Sequence, residues 1–171
     1  MDLFEKYYTL SLKYLQMRQR SEKEIVAYLM KKSAKGGSAS GGKKTPDDTI
    51  LRVLAKLKEN KFLDDGLFAK MWIEGRTRAK PRSKWLLTRE LKEKGVSEEI
   101  IENIFLATTE MKSDLSLAKE AIGKRILKHR EHPRTEIYQK IGGFLARRGF
   151  DWETSKRAID DLLKERYNNS E

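Results

Sequence analysis

Cysteine is absent from this 171-residue chain, which excludes disulfide scaffolds, thiolate zinc sites, iron–sulfur clusters and cysteine nucleophiles. Histidine is nearly absent, at two residues, so a catalytic metal centre would have few imidazole ligands to draw on. No apolar run approaches the roughly 20 residues of a membrane-spanning helix. The opening MDLFEKYY also lacks the apolar stretch of a signal peptide, so a soluble, cytoplasmic protein is expected. Runs of alternating β-branched residues are missing too, and no sheet is expected. Apolar residues are scarce, 38% against 37% charged. That is too little for one large core, but enough for several thin helical ones that need a single stripe each. Acidic residues are in deficit, 26 against 37 Lys and Arg, for a net charge of +11. Such an excess favours polyanion partners: nucleic acid, an acidic membrane or an acidic protein surface.

What is present is helical periodicity. Ile50, Val53, Leu54 and Leu57 fall at i, i+3, i+4, i+7, and Ile100, Ile101, Ile104, Phe105 and Ala158, Ile159, Leu162, Leu163 make two more such stripes. Helix starts are marked by the capping box Ser21/Glu24, by Thr45 with Pro46 at the first helical position, and by Ser97 and Asp151. Gly95 and Gly149 each follow a basic helix end, as left-handed C-terminal caps do. These signals repeat. Leu91–Glu99 aligns with Leu145–Glu153 at an offset of 54, and Ser21, Ile25, Leu29 and Lys32 align with Ser83, Leu87, Leu91 and Lys94 at an offset of 62. The expected fold is all-α, an elongated array of three tandem three-helix repeats. The repeats are placed at residues 1–62, 63–110 and 111–171. The first carries a flexible Gly/Ser insertion at 33–44.

Two basic groups stand out. Arg76, Arg78, Lys80, Arg82 and Lys84 surround Pro81 between the first two helices of the second repeat, and could neutralise several phosphates. A solvated charged face would look the same. Trp85, next to them, is assigned to the core with Leu86 and Leu87 rather than to base stacking. The second group is Lys124, Arg125, Lys128, Arg130 and Arg134, with Arg147 and Arg148 on the next helix. Lys124 and Lys128 would share a face at i, i+4, where like charges repel unless an anion relieves them.

Other motifs read as structural. Asp64-Asp65 is expected to cap the helix carrying Phe68 rather than bind metal. His129 and His132 have no third ligand, and zinc is not expected. Gly37–Lys44 looks like a phosphate-binding loop but puts Lys44 where Ser or Thr must hold magnesium, so nucleotide hydrolysis is rejected. Gly142-Gly143 within a helix implies either a close helix contact or a kink.

Four elements occur in order: Arg18-x-x-Ser21-x-x-Glu24-Ile25; Phe62-Leu63-Asp64-Asp65 then Phe68-Ala69; Glu90-Leu91-Lys92-Glu93-Lys94-Gly95-Val96; and Leu145-Ala146-Arg147-Arg148-Gly149-Phe150. In them the chain resembles the RecX family, bacterial regulators of the recombinase RecA. It departs in its long Gly/Ser insertion and in Ser83, where family members often carry Gly. The resemblance implies a crescent of three-helix modules lying in the groove of a RecA filament on DNA and restraining it. The implied partners are RecA and RecA-coated single-stranded DNA, with naked DNA a further candidate. No enzyme activity, cofactor, metal or membrane partner is implied, and a monomer is expected. A general DNA-binding helical protein with no recombinase partner is the rival reading.

Overall fold

The computed structural model describes residues 2–35, 47–107, 112–129 and 131–167. Among the described residues there are nine α-helices, one 3₁₀ turn and no strand, as the periodicity predicts. The helices are α1 (Leu3–Leu15), α2 (Glu22–Lys35), α3 (Asp48–Glu59), α4 (Asp65–Ala79), α5 (Lys84–Glu93), α6 (Glu98–Ala107), α7 (Asp114–Ile126), α8 (Arg134–Ala146) and α9 (Trp152–Tyr167). No helix among the described residues is long and apolar enough to cross a membrane.

Side-chain caps fix most of the helix starts by accepting from otherwise unpaired amides. Asp64 Oδ1 accepts from Leu67 N at 2.9 Å, Ser97 Oγ from Ile100 N at 3.4 Å and Asp151 Oδ1 from Thr154 N at 2.8 Å. At α3 the cap is Asp47, which accepts from Ile50 N at 2.8 Å, rather than Thr45. Thr45 and Pro46 lie outside the described residues. Residues 33–35 of the predicted flexible insertion at 33–44 are the last residues of α2. The rest of it, with the Gly37–Lys44 motif, lies outside the described residues.

The chain divides into two compact units, residues 1–70 with 91–104, and 71–90 with 105–171. In the first, α1, α2 and α3 close over Tyr7, Ile25, Leu29, Ile50, Val53, Leu54 and Leu57. In the second, α7, α8 and α9 close over Leu117, Ile122, Ile126, Ile141, Leu145 and Ile159. Each such side chain, taken from water, stabilises its unit by about 1.5–3 kcal/mol. Gly142 proves to be a close contact, since a Cβ there would stand 3.2 Å from Trp152 Cζ3.

The same joinery is used once in each unit. In the first, the start of α2 is held by the Gly95 turn and the start of α4. Ser21 Oγ donates to Lys94 O at 2.7 Å, and Glu22 N donates to Asp65 Oδ1 at 2.8 Å. In the second, the start of α5 is held by the Gly149 turn and the start of α7. Ser83 N donates to Arg148 O at 3.0 Å, and Lys84 N donates to Asp114 Oδ1 at 3.0 Å. Gly95 and Gly149 have φ of +85° and +83°, and this left-handed turn brings their backbone against the helix start that they hold.

The Ser21 capping box forms by half. Glu24 N donates to Ser21 Oγ at 3.3 Å, but the Glu24 carboxylate is taken by Arg18 at 2.9 Å and Lys94 at 2.8 Å. Burial alone would raise this carboxyl; hydrogen bonds and charge from Arg18 and Lys94 outweigh it and bring the pKa from 4.5 to about 2. A carboxyl lowered on folding adds stability above its ordinary pKa and loses it as pH falls through the lowered one. Glu24→Gln should therefore flatten the acid limb of the stability curve between about pH 4.5 and 2. The expected change is roughly 1–2 kcal/mol, discounted because the network is open to solvent. Urea melts across that range check it, and parallel acid limbs for parent and variant would contradict it.

Candidate functional site

The two basic groups meet in the second unit. Arg76 and Arg78 lie on the last turn of α4, Lys80 and Arg82 on the link to α5, and Lys84 opens α5. Arg147 and Arg148 follow α8, and Arg125 is in the last turn of α7. The arginines are ordered by aromatic and polar contacts. The Arg125 and Arg148 guanidiniums stand 4.2 Å and 4.4 Å from the Phe144 ring centroid, and Arg148 Nη1 donates to Pro81 O at 3.1 Å. Arg76 stands 4.4 Å from the Trp72 ring centroid, and stacking of this kind stabilises a guanidinium in place.

One carboxylate holds part of this cluster. Glu90 accepts from Trp72 Nε1 at 3.0 Å, pairs with Arg76 Nε at 3.3 Å and forms an ion pair with Arg82. Positive charge remains in excess. Burial, then the charges of Arg76 and Arg148, lower the pKa of Arg82; burial, then Arg125, lower that of Arg148. Both stay protonated at neutral pH because a guanidinium starts so high. Like charges strained against each other are relieved when an anion arrives. A cavity of about 250 Å³, lined by Lys80, Arg82, Phe144, Arg147 and Arg148, offers the space.

Other sequence-derived candidates are placed differently. Arg78 is exposed at the end of α4. Lys84 turns to the Phe105 ring, its amine 4.8 Å from the centroid. Lys124, in the last turn of α7, and Lys128, in the 3₁₀ turn Leu127–His129 that follows it, are both exposed, and the α-helix gives way to a tighter turn between them. Arg130 lies outside the described residues. Trp85 is 60% exposed, so its assignment to the core is wrong: the stripe of α5 is Leu87 and Leu91, both fully buried. His129 and His132 have ring centroids 5.3 Å apart, and no three His, Cys, Asp or Glu side chains among the described residues gather as metal ligands.

Glu90 and Phe144 were missed from the sequence. Phe144 carries a readable signal in its i, i+4 spacing to Arg148; Glu90 opens one of the four family elements, but no local spacing points to its partners, which come from another helix and a loop.

Comparison with known proteins bears on the whole chain. A family model described as RecX, second three-helix domain, matches residues 64–103, and one described as RecX, third three-helix domain, matches residues 113–159. The "Regulatory protein RecX" of Pelodictyon phaeoclathratiforme is 32% identical over 155 residues, covering 91% of this chain and 88% of its own. That of Clostridium tetani is also 32% identical over 155 residues, but the chain spans 65% of its length. Of two further RecX proteins, from Bacillus pumilus and a Geobacillus, it spans 59% and 55%. The crystal structure of RecX from Lactobacillus salivarius superposes with a TM-score of 0.71 over 93% of this chain and 96% of that one, at 18% identity, a likeness of fold. With near-full-length identity of this order and two matched three-helix domains, the chain belongs to the RecX family.

Proposed function

We propose that this protein is a non-enzymatic cytoplasmic regulator that binds RecA–DNA filaments in their helical groove and mainly inhibits them. Its three repeats would span residues 1–62, 63–110 and 111–171. By occupying the groove it would bar duplex DNA or block addition of the next protomer. The observation that carries this is the convergence of Lys80 and Arg82 with Arg125, Arg147 and Arg148 around Phe144, with Arg76 joined to Arg82 through Glu90, a cationic surface suited to a phosphate backbone. Arg78, Lys84, Lys124 and Lys128 would add attraction around it. Family membership favours a recombinase as the partner over naked DNA alone.

The test is RecA's DNA-dependent ATP hydrolysis with purified protein at concentrations too low to coat the DNA. Inhibition under those conditions is the expected result. Unchanged hydrolysis, with inhibition only when the DNA is saturated, would favour the rival reading of a general DNA-binding protein.

A further inference from the structure

We infer that Trp85 is a stacking platform for an unpaired nucleic-acid base, so that the basic surface distinguishes single-stranded from duplex DNA. The inference rests on the nucleic-acid side of the proposed function and adds the form of strand that is recognised.

Trp85 sits in the first turn of α5 with 60% of its surface exposed. It contributes little to the core, which α5 reaches through Leu87 and Leu91. It is held in place nonetheless. Cε3 lies 3.3 Å from where a Cβ on Gly149 would stand, so one edge of the indole backs onto the turn that carries Arg147 and Arg148. That turn is fixed to the residue two before Trp85 by the hydrogen bond from Ser83 N to Arg148 O. The Arg89 guanidinium stands 5.5 Å from the ring centroid, and Lys84 precedes the ring in the chain. An exposed, oriented π-face among cations is what an unpaired strand can use. Its phosphates meet the guanidiniums, and a base with a free face lies on the ring. Bases in a duplex are already stacked on each other and present only their edges to the grooves. The surrounding positive charge argues against an apolar protein segment as the occupant, and for an anionic polymer with flat apolar faces.

The experiment compares the full chain with Trp85→Ala, Trp85→Leu and Trp85→Phe, titrated against a fluorescein-labelled oligothymidine and a labelled duplex of equal length. The Ala and Leu variants should lose about fivefold or more in affinity for oligothymidine, the lower end of the effect of removing one stacked aromatic. The Phe variant should keep most of it, and duplex affinity should stay level in all three. The Leu variant decides the matter should Ala disturb folding. Unchanged oligothymidine affinity in Trp85→Leu, or an equal loss on the duplex, would overturn the inference. A Lys80→Ala/Arg147→Ala variant separates the two readings. If it weakens both DNAs while Trp85→Leu changes neither, the platform fails and the cationic surface stands. If the parent itself binds neither DNA, the platform fails, while the filament reading is decided by the ATP-hydrolysis test.

Discussion

Gly149→Ala is expected to destabilise the second unit by about 3 kcal/mol. Two costs combine. At φ +83° an L side chain costs roughly 1–2 kcal/mol. The new methyl would also stand 2.5 Å from Ser83 Oγ and 2.6 Å from Leu86 Cβ, overpacking of a kind that costs roughly 1–3 kcal/mol. Relaxation is hard, because Ser83 is buried and its N–H is bonded to Arg148 O. Against a total stability of about 5–15 kcal/mol this is a large loss. Gly123→Ala is the matched control: it lies within α7, has no positive φ, and its methyl meets nothing within 4 Å. It should be neutral or stabilising by up to about 1 kcal/mol. Urea melts of the two variants beside the parent decide it, and a Gly149→Ala protein as stable as the parent would refute the strained, closely packed turn.

The second large effect is on binding. Replacing Arg78, Lys80 and Arg147 together by Ala should weaken binding to the RecA–DNA filament by roughly tenfold to a hundredfold at physiological salt. Each phosphate that is no longer neutralised takes about 0.7 from the log–log salt slope on a single strand and about 0.9 on a duplex, so the slope should fall by about 2 or more. All three residues are exposed, and none belongs to the Glu90 network or the Phe144 stack, so the helical circular-dichroism signal should persist. Arg82 and Arg148 are poor choices for this purpose, because the first pairs with Glu90 and the second holds Pro81 O. Binding to an acidic protein surface would also weaken at high salt, by screening and without the counterion-release slope. A triple variant with the parent's affinity and slope would show that these three cations are a solvated face.

The helices were readable because each needs only an apolar stripe and a cap, both local in sequence. Ile50, Val53, Leu54 and Leu57 are all buried as their spacing predicts, and Gly95 and Gly149 turn left-handed as their place after basic helix ends predicts. The cationic cluster was readable only as two separate runs. Their meeting at Phe144 depends on how α7, α8 and the α4–α5 link pack, which no local pattern encodes. Trp85 shows where periodicity misleads. Residues two apart on a helix point about 200° apart, so Trp85 and Leu87 cannot share a face, and the buried stripe runs Leu87, Leu91. The i, i+4 relation of Lys124 and Lys128 presumes a continuous α-helix, and the chain tightens to a 3₁₀ turn at Leu127, a change that no local pattern announces.

The partners of Arg148 separate it from its neighbours. Stacked 4.4 Å from the Phe144 centroid and hydrogen-bonded to Pro81 O, it has already given up much of the roughly 2 kcal/mol of rotamer entropy that a free arginine keeps. Lys80 and Arg147, exposed at the same cavity, still have theirs to lose when an anion binds. The cavity thus combines two prepositioned guanidiniums, Arg148 and the Glu90-paired Arg82, with two exposed cations, Lys80 and Arg147. The held guanidiniums dictate where an anion's oxygens must lie and act on the lifetime of a complex, whereas the exposed charges raise the frequency of encounter and tolerate many approaches.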